Sequence, residues 1–202
     1  MASIQVPVVL PGKRSTEIPM VKAPRKSAVL ICGSGRCLWD DISSLGPFDG
    51  DMMAVALAGM YLEKLPLHWV SLDPETFQWM LPMRPEIVYT PTGLFVRRVE
   101  THSHRPCAGV LHAWPLSVLK TTGGTSSLAA CRIALALGYE RVILAGVPID
   151  GSGHFYDAPS ALREATDDYS GFIEPWHDAV DEFKGRVRSL SGRTRELLGA
   201  PQ

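Results

Sequence analysis

The sequence predicts an α/β fold: a Rossmann-like, mostly parallel sheet with helices on both faces, built as a single domain. Three observations carry that expectation. Short apolar runs of strand length alternate with segments of helical spacing, the pattern of strand-helix-strand units. Two glycine-rich turns, "CGSGR" and "TTGGTSS", stand where a helix would begin. At 202 residues, with 46% hydrophobic and 20% charged side chains, the chain is long enough for one well-buried core and short for two.

Residues 1–26 read as an arm that precedes the domain at 27–202. The arm holds four prolines and the cations Lys13, Arg14, Lys22, Arg25 and Lys26 against Glu17, a net of +4 in a chain whose formal charge is -1. It lacks the uninterrupted apolar core of an export signal. "SAVLICGSG" is then a strand running into a tight turn, and "CLWDDISSLG" a helix with a terminal glycine. "DMMAVALAG" reads as a second strand, "MYLEKLP" as a short helix and "LHWVSLDP" as a third strand ending at Asp73. "ETFQWMLPM" has helical character cut by Pro82, and "EIVYTPT" reads as a fourth strand. From Gly93 to Lys120 no element is assigned. "SLAACRIALALGYE" is a helix stopped by Gly138, "RVILAGVPID" a buried strand, and "HDAVDEFKGRVRSL" a helix followed by a last strand near 187–190. The polar, aromatic segment 151–176 between them is long enough to be functional.

Ligands of open parallel sheets lie beyond the carboxyl ends of the strands. That rule gathers Gly33, Ser34 and Gly35, Asp73, Asp150, and the turn Gly123, Gly124, Thr125, Ser126 and Ser127 on one rim. Unpaired backbone N–H groups and the helix dipole favour phosphate at such a turn, with the hydroxyls as donors or as a helix cap. Neither turn is a Walker A loop or a GxGxxG fingerprint. The strand-end aspartates could accept sugar hydroxyls, hold Mg2+ or cap a helix.

Among the histidines, His68 and His112 sit in apolar runs and read as core. His102 and His104 form HxH in a polar stretch with no third metal ligand at suitable spacing, so no metal site is assigned. His154, beside Tyr156 and Asp157, and His177, beside Trp176 and Asp178, flank the long segment and could act as general bases. Cys32, Cys37, Cys107 and Cys131 show neither a CxxC spacing nor a secreted framework and read as reduced thiols of a cytoplasmic protein.

"VLICGSGRCLWDD" and "GGTSSLAACRIALALGYERVILAGVPID" resemble the Rossmann-like group of Campylobacter-type sialyltransferases, archaeal pterin diphosphokinases and DUF115 motility-accessory proteins. "VRSLSGRTRELLG" is similar to small phage and prophage proteins, which would place the chain in a host cytoplasm. The resemblance implies a nucleotide-dependent transferase, foremost a glycosyltransferase with a nucleotide-sugar donor held across both glycine turns. It implies His177 as the base and Tyr156 or Tyr169 as the lid tyrosine on the donor phosphate, and in the reading built on it Tyr156 and His154 stabilise the leaving phosphate. Ser34 and Ala58 stand where the group carries asparagines, which argues against a cytidine base. Two further readings stay open: a Mg2+-dependent pyrophosphokinase, and a non-catalytic phage ligand-binding or assembly module. A homo-oligomer or a phage assembly partner would suit the latter. Nucleic acid enters only as an acceptor, since no basic stripe with interleaved aromatics appears outside the arm.

Overall fold

The computed structural model describes residues 26–73, 76, 79–80, 83–84, 98–102, 112–114, 119–120, 125–157 and 170–202. The strands are β1 (Ala28–Cys32), β2 (Asp51–Val55), β3 (His68–Val70), β4 (Arg98–His102), β5 (His112–Trp114), β6 (Arg141–Ala145) and β7 (Val187–Ser189). The helices are α1 (Leu38–Leu45), α2 (Ala58–Tyr61), α3 (Ser126–Ala136), α4 (Ser170–Phe183) and α5 (Gly192–Leu198). All seven strands pair in parallel, in the order β5-β4-β3-β2-β1-β6-β7.

Side-chain alternation along β1 divides the interior into two cores. Val29 and Ile31 face a cluster with α3, α4 and α5, while Leu30 and Cys32 face one with α1 and α2. The expected helices on both faces are thus present. α3 is buried without interruption from Ser127 to Ala134, so alanines serve here as close-packing residues rather than as one stripe of an amphipathic helix. Gly138, at φ +96°, ends it as expected.

β1 is the hinge of the topology. The chain steps outward from it through β2 to β5 and then returns to its other side as β6, so β1 and β6 form the switch point. The connections leaving these two strands turn to opposite faces and leave a crevice between them.

The structure departs from the sequence expectation in three places. β4 and β5 lie where no element was expected, and His102 belongs to β4 rather than to a loop. "RVETH" and "HAW" occupy the outer side of the sheet, where the continuous apolar run of a central strand is not needed. α5 was not expected either. Its seven residues carry no apolar stripe; it is fixed by buried Leu198 and by Thr194, whose hydroxyl donates to the Val147 carbonyl at 2.5 Å and lies 2.8 Å from the Ser189 hydroxyl. α4 begins at Ser170, inside the long polar segment, and accommodates Pro175. The strand expected at 86–92, residues 1–25 and most of the helix expected at 75–83 lie outside the described residues.

Both glycines after β1 answer to packing. A Cβ on Gly33 would stand 2.5 Å from the Gly146 carbonyl oxygen and 2.7 Å from Val147 Cγ2, and one on Gly35 would stand 2.4 Å from Pro148 Cδ. Gly33→Ala and Gly35→Ala should therefore each lose about 1–3 kcal/mol, several degrees in thermal melts. Gly171→Ala, where a Cβ meets nothing within 4 Å, should leave the melting temperature unchanged or slightly raised. Wild-type melting of Gly33→Ala would refute the packing explanation.

Candidate functional site

At the carboxyl ends of β1, β2 and β6 lies a cavity of about 230 Å³. Its wall takes Ser34 and Gly35 from the first turn, Val55 and Ala56 from the end of β2, Thr125 and Ser127 from the start of α3, and Gly146 to His154 with Tyr156 from the segment after β6. The switch point and the helix start expected from sequence thus share one cavity.

Backbone hydrogen bonds lock its two sides together. The Gly33 N–H donates to the Ala145 carbonyl and the Gly35 N–H to the Gly146 carbonyl, each at 2.8 Å. Arg36 N–H then donates to Gly153 at 3.1 Å and Phe155 N–H to Ser34 at 3.1 Å, an antiparallel bridge between Gly35 and His154. Beneath this seam lies the Asp41 carboxylate, 5% exposed, which accepts from the Gly146 N–H and the Ser191 hydroxyl, both at 2.8 Å. Asp41 was not anticipated. The signal was present, since it falls in the apolar stripe of Leu38, Ile42 and Leu45, and a carboxylate at a core position needs buried donors.

The hydroxyls of the second turn divide their work. Thr125 caps α3 by accepting from the Leu128 N–H at 3.3 Å, and Ser126 accepts from the Leu72 N–H at 3.1 Å, tying α3 to the end of β3. Ser127 is buried in the cavity wall, and Ser126 is not part of that wall. Gly123 and Gly124 lie outside the described residues. Ser34, a lining residue, is the conspicuous group: its Oγ is fully buried and has no hydrogen-bond partner among the described residues. Native proteins leave few such groups unpaired.

Two wall residues, Ala56 at φ +46° and Ile149 at φ +49°, hold left-handed backbone conformations. That is costly for alanine and more so for a β-branched side chain. Ala56 lines the cavity, whereas Ala58 is fully buried at the start of α2 and off the wall.

His154 is half exposed at the cavity edge. Its backbone N–H donates to Asp157 Oδ2 at 2.7 Å and its Nδ1 lies 3.2 Å from the same oxygen. The backbone hydrogen bond from His154, first, and then its side chain hold the Asp157 carboxyl below the usual carboxylate range. Its ring stacks on Tyr156 at 5.0 Å. Burial, then the charge of Asp157, raises the Tyr156 phenol, which keeps its proton as a donor. Asp150 lines the cavity and accepts from the Ser152 N–H at 3.0 Å. Asp73 lies in a turn with Ser71 and Thr76, outside the wall. His177 is exposed on α4 and is not among the lining residues, while its neighbour Trp176 is fully buried. Among the described residues no three His, Cys, Asp or Glu side chains gather to hold a metal, and no helix is long and apolar enough to cross a membrane.

No family model matches the sequence, and no curated protein matches it. Solved structures do. The sialyltransferase CstII from Campylobacter jejuni, in complex with the substrate analogue CMP-3FNeuAc, aligns with a TM-score of 0.58 at 16% identity, over 87% of this chain and 86% of that one. This chain has the CstII fold. CstII in complex with a trisaccharide acceptor and CMP gives 0.60 at 15% identity over 87% and 86% of the two chains. CstII with cytidine-5'-monophosphate gives 0.59 at 16% identity over 87% and 85%.

Removing the Asp41 carboxylate orphans two donors at the seam. Asp41→Ala should cost about 3 kcal/mol or more, whereas Asp40→Ala, one residue away and exposed, should stay within about 0.5 kcal/mol. Chemical denaturation of both variants measures the difference.

Proposed function

We propose that this protein is a glycosyltransferase that uses a nucleotide-sugar donor, with the donor phosphate in the switch-point cavity. One observation carries the reading: Ser34, whose buried hydroxyl is unpartnered among the described residues, lines one cavity with the start of α3. A phosphate there would accept from Ser34 and Ser127 and lie at the positive end of the helix dipole. The two glycine turns thus contribute differently. The first supplies one hydroxyl on a backbone fixed by packing, and the second supplies the helix end. The likeness to an enzyme solved with CMP and with a trisaccharide acceptor supports a nucleotide donor over other anions.

In this reading His154 is the base. Its Nδ1–H donates to Asp157, which fixes the tautomer and leaves Nε2 free to take a proton. An acceptor hydroxyl loses its proton to Nε2 as its oxygen bonds to the anomeric carbon, and the bond from that carbon to the phosphate oxygen breaks. The nucleotide leaves with the electron pair, and Tyr156 donates a hydrogen bond to its phosphate. Because the folded Asp157 carboxyl titrates lower than in an unfolded chain, it orients His154 fully above the ordinary carboxylate range. That orientation is lost as pH falls through the lowered value.

Nucleoside monophosphates and nucleotide sugars screened by thermal shift test the donor site. A ligand at about 100 times its Kd adds about 2.7 kcal/mol to stability, so the binding nucleotide should raise the melting temperature by several degrees. Ser34→Ala should raise the melting temperature of the free protein, since it removes an orphaned polar atom, and should diminish the ligand-induced shift. Donor turnover should fall by about 10²–10⁴ in His154→Ala and stay unchanged in His177→Ala. The reverse pattern assigns the base to His177, and no shift with any nucleotide removes the donor site.

A further inference from the structure

An aromatic surface adjoins the cavity, and of its rings only Tyr156 has a part in donor chemistry. Trp39 on α1, Tyr61 at the end of α2, and Phe155 and Tyr156 from the segment after β6 come from three separate parts of the chain. They form one array. Phe155, partly buried against the core, sets its edge to Trp39 at 5.5 Å and to Tyr61 at 5.2 Å, while Tyr61 stacks on Tyr156 at 6.4 Å and an interplanar angle of 17°. Trp39 is 44% exposed, Tyr61 55% and Tyr156 38%. Tyr156 belongs to the cavity wall as well, so the array runs out from the cavity without a break.

Rings presented to water beside a cavity mark a contact surface. We propose that this array is the acceptor subsite, and that it takes an uncharged saccharide whose C–H faces lie on the exposed rings. The proposal rests on the glycosyl-transfer reading and names its second substrate. A ring face carries negative charge density and attracts the polarised C–H bonds of a sugar ring. Flanking charges select against a nucleic-acid strand, the other ligand that stacks on aromatic rings. In the chain Asp40 follows Trp39, Glu63 and Lys64 follow Tyr61, and Asp157 follows Tyr156, while Arg36 Nη2 already donates to the Asp157 carbonyl at 3.3 Å. A single strand needs a cationic track for its phosphates. The carboxylates here suit sugar hydroxyls.

The full-length protein applied to an array of neutral oligosaccharides, with a short oligothymidylate as competitor, tests the assignment. Neutral saccharides should be captured, and Trp39→Ala and Tyr61→Ala should each weaken capture by about tenfold. Neither residue is in the cavity wall, so the nucleotide-induced thermal shift should survive in both variants. An array without signal from a protein that still shows the nucleotide shift overturns the acceptor subsite and leaves the donor site standing. Capture unaffected by both substitutions overturns it too, as does oligothymidylate binding that both substitutions abolish. Capture that depends on both rings, in a protein that shows no nucleotide shift, upholds the saccharide surface and removes the donor site instead.

Discussion

The close approach of the backbone after β1 to the backbone after β6 is the constraint on which the rest of the structure depends. Gly33 and Gly146 sit so near each other that a Cβ on either would meet the other's carbonyl oxygen, at 2.5 and 2.7 Å. With that contact made, the strands pair, the connections part to opposite faces and the crevice opens between them. Asp41 then fixes the seam from below by holding the Gly146 N–H and, through Ser191, the start of α5. A buried carboxylate is expensive unless its lone pairs are filled by donors, and here the donors are the groups whose positions define the cavity floor. Stability and site geometry therefore share residues.

That sharing explains which features were legible in the sequence. The central strands β1, β2, β3 and β6 and the helix α3 declare themselves because burial on both faces demands continuous apolar or alanine-rich runs. The strand-end rule gathers the Gly-Ser-Gly turn, the start of α3, Asp73 and Asp150 on one rim, and of these Ser34, Gly35, Thr125, Ser127 and Asp150 line the cavity while Asp73 lies outside its wall. The peripheral strands β4 and β5 have no such demand on them, so their composition is silent. α5 is silent for a different reason, because the polar contacts of Thr194 and Ser191 hold it together with buried Leu198 rather than an apolar stripe.

Side-chain roles were less readable than positions. Glycines of a strand-to-helix turn look alike whether they admit a ligand or another backbone, and only the distances to Gly146 and Pro148 distinguish the two. The hydroxyls of Thr125, Ser126 and Ser127 form one motif in sequence, yet one caps a helix, one holds β3 and one faces the cavity. By residue type and place alone His154 and His177 are equivalent, because both flank the same long segment, and the resemblance favours His177 as the base. Helical phase separates them: burying Trp176 turns the next residue outward, whereas the bridge between Gly35 and His154 carries the latter to the cavity edge.

The wholly parallel sheet also sets a timetable for the chain. Ala28 pairs with Arg141 and Cys32 with Ala145, so the central strand must wait through more than half of the sequence for its second neighbour. Contacts of such separation carry a loop-closure cost before they return any stabilisation, which makes folding slow. On a ribosome β1, β2 and β3 emerge long before β6, leaving the apolar edge of β1 unpaired meanwhile. The cavity is then among the last features to form, and a chain interrupted before Gly146 would carry most of the sheet without a site.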